Sequence, residues 1–162
     1  MSMICELFLV PEATAKNLNA DPTGIHDVLE SVGGSEDVVS LEKSWHGLHF
    51  ALTGTAWEGQ PPLNFLASGG TPIGDEDVGY GPARLLDPAG VAALHAALSQ
   101  LTDEQFERSF DLAGLEREEI YPSIWDEELE ELMEEYGHYL QEFKQIAKRG
   151  AESGQALIVA IR

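Results

Sequence analysis

The chain has 162 residues, 43% of them hydrophobic, which is the size and composition of one ordinary domain with a real core. Its 29 acidic against 9 basic residues give a formal net charge of −20. Such a surface repels phosphate backbones and anionic membranes, so nucleic acid and membrane are excluded as partners, while a basic protein or a small molecule is admitted.

The first element in chain order is an apolar run at residues 3–10, which reads as a largely buried strand ended by Pro11. It carries Cys5, the single cysteine, which allows neither an intramolecular disulfide nor a Cys-rich zinc site and reads as a small buried hydrophobe. Residues 11–18 and 22–31 read as two short helices, the second opened by the cap pair Asp21-Pro22. Val32 to Ser35 is a turn, and Val38 to Leu41 carries no decisive pattern. Ser44 can cap a helix from Trp45 to about Leu52, with Gly54 as its stop. Residues 55–62 are loop. Leu63 to Ala67 is helical or extended, and the glycine-rich stretch from Ser68 to Pro82 is a structured loop.

Ala83 to Leu86 fits a brief strand, and Asp87-Pro88 opens a helix to about Leu98. Thr102 and Gln105 match a capping box before another short helix. Leu112 to Glu119 has helical character, and Tyr121-Pro122 breaks it. The longest helix is expected from Asp126 to Arg149, with Leu129, Leu132, Met133, Tyr136, Leu140, Phe143 and Ile146 in its apolar stripe and Gly150 as its C-cap. Gln155 to Ile161 reads as a final strand. These elements predict a single domain over residues 1–162 of α+β class. A small mixed sheet pairs the N- and C-terminal strands, packed against several helices including one long C-terminal helix. No apolar stretch approaches the ~18 residues of a membrane span, and the N-terminus lacks a secretion signal, so a cytoplasmic location is expected.

Five groups of residues could carry chemistry or binding. His46 and His49, three apart, fall on one face of their helix beside Trp45. They lack the Glu and the spacing of a zinc-protease pair and no cysteine is near, so no metal and no cofactor is assigned. Either imidazole could act as a general acid or base, or both could be hydrogen-bonded at the core edge. Arg84 is the sole basic residue between Lys43 and Arg108. It reads as a fork with a carboxylate partner that ties loops together or, with Tyr80, orients an anionic substrate. Tyr121 and Trp125 flank the break at Pro122 and could line a pocket or the core. Asp75, Glu76 and Asp77 read as an exposed acidic turn, since they do not fit a calcium loop. Residues 103–142 hold 15 acidic side chains against Arg108 and Arg117, which reads as a solvated face or as a docking surface for a basic partner.

The order Lys43-Ser44-Trp45-His46-Gly47-Leu48-His49-Phe50-Ala51-Leu52-Thr53-Gly54 resembles the signature of the YfbM-like family of small bacterial proteins. The resemblance continues through Pro62 to Leu66, Gly69-Gly70, Gly79 to Arg84, Ile120-Tyr121-Pro122 and Trp125-Asp126, and so covers nearly the whole chain. Where relatives often have Ala after the first histidine, this chain has Gly47. The family implies a compact α+β domain of unknown function and no reaction, cofactor or catalytic residue. It puts emphasis on Trp45, His46, His49, Tyr80, Arg84, Tyr121 and Trp125. The functional expectation is a non-enzymatic binding or protein-interaction module. The alternative is a small enzyme of hydrolase or lyase type, with His46 or His49 as acid–base and Arg84 and Tyr80 on the substrate.

Overall fold

The computed structural model describes residues 2–162. Strand β1 (Cys5–Val10) leads into α1 (Glu12–Ala20), a 3₁₀ turn (Pro22–Gly24) and α2 (Ile25–Val32). Strand β2 (Val38–Glu42) and helix α3 (Trp45–Thr53) follow. After a long loop come β3 (Thr71–Pro72) and β4 (Arg84–Leu86). Helices α4 (Pro88–Ser99), α5 (Asp103–Ser109), α6 (Leu112–Arg117) and α7 (Leu129–Ser153) then return the chain to β5 (Ala156–Ile161).

The two ends of the chain pair as expected, Cys5 opposite Ile161 and Val10 opposite Ala156. They form the centre of a sheet ordered β2-β1-β5-β4-β3. Their near-continuous apolar runs follow from helices on both faces, because, Glu6 and Ile161 apart, neither set of alternating side chains meets water. Phe8, Val10, Ile158 and Ala160 pack under α1 and α2 against Leu18, Ile25 and Leu29. Leu7, Leu9, Leu157 and Val159 face the other way, into a larger core with Leu48, Val91, Leu94, Phe143 and Ile146 from α3, α4 and α7.

The structure corrects the sequence reading in three places. The sheet is wholly antiparallel, not mixed. Relative strand direction across more than a hundred residues is set by how the intervening helices pack, and no local pattern carries it. Helix α7 begins at Leu129, not Asp126, and runs on to Ser153, with Gly154 in the left-handed region at φ 66° as its cap. Gly150 lies inside that helix for a packing reason. A Cβ there would stand 2.8 Å from Val91 Cγ1 and 2.9 Å from Leu9 Cδ1, so the glycine lets α7 approach α4 and β1. Ser44 holds the N-cap position of α3, but its hydroxyl donates to Leu41 O at 2.6 Å instead of capping the helix.

Candidate functional site

Helix α3 supplies the signature residues and is buried on every side from Trp45 through Ala51. Gly47 makes that possible. A Cβ at this position would lie 2.6 Å from Tyr136 Cε2 and 3.0 Å from Trp125 Cη2, so the two rings close directly on the helix backbone. Behind this face the imidazoles are tied to backbone. His46 Nε2 lies 2.8 Å from Ala56 O, and its Nδ1 accepts from the Tyr121 N–H at 3.0 Å. An acceptor role for Nδ1 leaves the proton on Nε2, so the ring is neutral and both nitrogens are occupied. A second proton would set a donor against the Tyr121 N–H. Burial accordingly lowers the His46 pKa from its ordinary value, against the opposing pull of the Ala56 carbonyl. His49 donates from Nε2 to Glu58 O at 2.8 Å. Its Nδ1 is buried without a hydrogen-bond partner among the described residues. Burial pushes its pKa down to about 4, against the opposing pull of the Glu58 carbonyl and with the Arg84 charge as a smaller contribution in the lowering direction.

Arg84, at the start of β4, organises the loop opposite. Its Nη1 donates to Phe65 O at 2.6 Å and to Gly69 O, and its Nη2 donates to Leu66 O at 2.9 Å. The guanidinium thereby gathers the carbonyls of a segment that forms consecutive turns rather than a helix or strand. The Asn64 carbonyl accepts from Ser68 N and Gly69 N in the same segment. The carboxylate partner expected for Arg84 is replaced by these three backbone carbonyls, and no ion pair to it exists among the described residues. Burial lowers its pKa to about 10, which leaves it charged at neutral pH.

Tyr80 is brought to the same place by the glycine loop. The Tyr80 N–H donates to Ile161 O at 2.9 Å, pinning the loop onto the end of β5. Gly79 is required there, at φ 150° and with any Cβ only 2.7 Å from Arg162 Cα. Asp77 Oδ1 accepts from the N–H groups of Gly79 and Gly81, so one carboxylate of the acidic turn holds the loop together.

Between these parts lies a cavity of about 370 Å³, lined by Met3, Trp45, Trp57, Ala67, Tyr80, Pro82, Arg84, Val159 and Ile161. It opens on the α3 side of the sheet, where Arg84 pairs with Val159 across β4 and β5. Trp57 and Tyr80 stay 54% and 40% exposed, both large aromatic side chains left to solvent. Trp57 also covers the imidazole of His46 with ring centroids 4.2 Å apart, and Trp45 stacks on the same ring at 5.0 Å and 17°.

Three of the seven residues singled out in the sequence, Trp45, Tyr80 and Arg84, therefore share one cavity wall. His46 and Tyr121 sit one layer back. The Tyr121 ring lies 6.2 Å from Trp45, its hydroxyl accepts from Met3 N–H, and Trp45 Nε1–H donates to Met3 O. His49 is fully buried against the Glu58 loop. Trp125 belongs elsewhere, packed on Phe110 and Tyr136 with its indole N–H on Ile120 O. Trp57 was not singled out from the sequence. The available signal was a lone aromatic in the otherwise polar and proline-rich loop 55–62, an environment that gives an indole no reason to be core. Cys5 is fully buried, and burial raises its thiol to about 12, which leaves it unreactive. Among the described residues no group of three or more His, Cys, Asp or Glu side chains is placed to hold a metal ion, and no helix is long and apolar enough to cross a membrane.

Comparison with known proteins agrees with this architecture. The model of a family described as a domain of unknown function, DUF1877, matches residues 1–160. Among solved structures, a protein of unknown function from Escherichia coli, YfbM, is similar with a TM-score of 0.75 at 22% identity, over 99% of this chain and 100% of that one. At that identity the likeness shows the fold alone. No curated protein matches.

Proposed function

The chain belongs to the DUF1877 family, and from its cavity we propose that it is a non-enzymatic binding module for a small molecule. The observation that carries this reading is the wall itself, with Trp45, Trp57, Tyr80 and Arg84 around about 370 Å³. That is the size and make-up of a small-ligand site, an apolar and aromatic surface with one convergent polar group. The exposed Trp57 and Tyr80 support it, since a large indole left half in solvent at a cavity mouth gains more by covering a ligand than by facing water.

The acid–base alternative, with His46 or His49 acting beside Arg84 and Tyr80, has weaker support. A general base needs a free lone pair within reach of the substrate. Both nitrogens of His46 are engaged, His49 is fully buried, and neither ring lies on the cavity wall. A fragment library screened by ¹H–¹⁵N NMR tests the binding reading. Hits are expected to move the indole N–H resonances of Trp45 and Trp57 saturably, and Ala67→Phe, which puts a ring into the cavity, is expected to abolish the shifts. A library with no hit at these two indoles, or hits untouched by Ala67→Phe, would contradict it.

A further inference from the structure

Arg84 is the sole charged residue among those lining the cavity. A guanidinium has five N–H donors. Three go to the carbonyls of Phe65, Leu66 and Gly69, and the two without a partner among the described residues are Nε–H and one hydrogen on Nη2. The carbonyls orient the group but carry no net charge. A half-buried cation without a counter-anion is an unusual arrangement in a chain whose net charge is −20. Carboxylates are abundant on this protein, yet none is spent on Arg84.

We propose that the cavity takes a small organic monocarboxylate with a planar apolar body, its carboxylate on Arg84 and its ring against Trp57 and Tyr80. This rests on the cavity being a ligand site. Two remaining donors equal in number the two oxygens of one carboxylate, the anion that arginine takes with paired N–H groups. One positive charge neutralises one negative charge. A phosphate dianion would bring a second charge into a wall of Met3, Trp45, Ala67, Pro82, Val159 and Ile161 that offers nothing to compensate it. The rest of the ligand must be apolar to match those residues, and planar to stack between an indole and a phenol. Elsewhere the acidic surface repels anions, so an acid that binds must do so at this site rather than by diffuse attraction.

The test leaves the protein unaltered, because Arg84 also braces the loop and its variants risk misfolding. Three planar acids, 2-naphthoate, indole-3-carboxylate and cinnamate, are titrated beside their amides, with the Trp45 and Trp57 indole N–H shifts as readout. At least one acid is expected to saturate the shifts and to bind ten-fold or more tighter than its amide. Trp57→Ala and Tyr80→Ala, both at exposed positions, are expected to weaken it five-fold or more. Equal affinity of acid and amide would overturn the carboxylate assignment while leaving the cavity reading intact, as would tighter binding of 2-naphthyl phosphate than of 2-naphthoate. No saturable shift with any acid or amide would overturn both.

Discussion

His46 joins three parts of the chain that are far apart in sequence. Its ring bonds the Ala56 carbonyl and the Tyr121 N–H, stacks on Trp45 and lies under the tilted ring of Trp57. Removing it leaves a half-buried carbonyl and a half-buried N–H without their partners, each costing about 1–3 kcal/mol where water cannot reach it. His46→Ala is therefore expected to lower unfolding free energy by about 3 kcal/mol in a denaturant titration, and a loss below about 0.5 kcal/mol would contradict the tie. His49 adds a pH dependence whose sign is fixed. Its folded pKa of about 4 lies below the ordinary 6.5, so between those values the unfolded chain binds a proton that the folded one refuses. Stability is then full above pH 6.5 and falls as the solution is acidified toward pH 4. A drop in Tm of ~5 °C between pH 7 and pH 4.5 is expected, and His49→Gln should flatten that dependence. A wild-type Tm that is level over this range would refute the assignment.

At the scale of elements, the two glycines inside α7 make opposite predictions. Gly150 sits where α7 touches Val91 and Leu9, whereas a Cβ at Gly137 would meet nothing within 4 Å. Gly150→Ala should destabilise the protein by about 1–3 kcal/mol through overpacking. Gly137→Ala should stabilise it by about 0.5–1 kcal/mol, because alanine restricts the unfolded chain and favours the helix. Equal effects of the two in chemical denaturation would show that helix propensity alone decides. Such details mark where sequence reading ends. The capping box at Thr102 and Gln105, the apolar stripe of α7 from Leu132 to Ile146 and the Gly54 stop of α3 are local patterns, and they were legible, whereas Leu129, expected in that stripe, is exposed at the start of the helix. Gly150 resembled a stop because a glycine near a helix end is ambiguous between a cap and a close approach, and only the partner helix decides. The cavity was half legible. Trp45, Tyr80 and Arg84 stood out by residue type, but Trp57, Ala67 and Ile161 joined them through tertiary proximity. The histidines drew attention as chemistry, while their hydrogen-bond partners lie on loops that no spacing rule connects to α3.

At the scale of the molecule, a net charge of −20 acts on everything else. Cross-surface pairs such as Arg149 with Asp37 and Arg162 with Glu6 are half in solvent and contribute little singly. Self-repulsion of the acidic surface is the larger effect, and it is screened by salt. Raising NaCl from about 0.05 to 0.5 M, which shortens the screening length to a few ångströms, is expected to raise Tm, and a fall would mean that surface ion pairs outweigh the repulsion. The central strands are covered by helices on both faces, and a cavity opens where the end of β5, the glycine loop and the Trp57 loop meet around Arg84. A crystal structure of the protein soaked with a planar aromatic acid tests whether that opening is a ligand site. Ligand density is expected between Trp57 and Tyr80 with an acid group on Arg84. Density confined to other surfaces, or an unaltered cavity at a ligand concentration that saturates binding in solution, would contradict it.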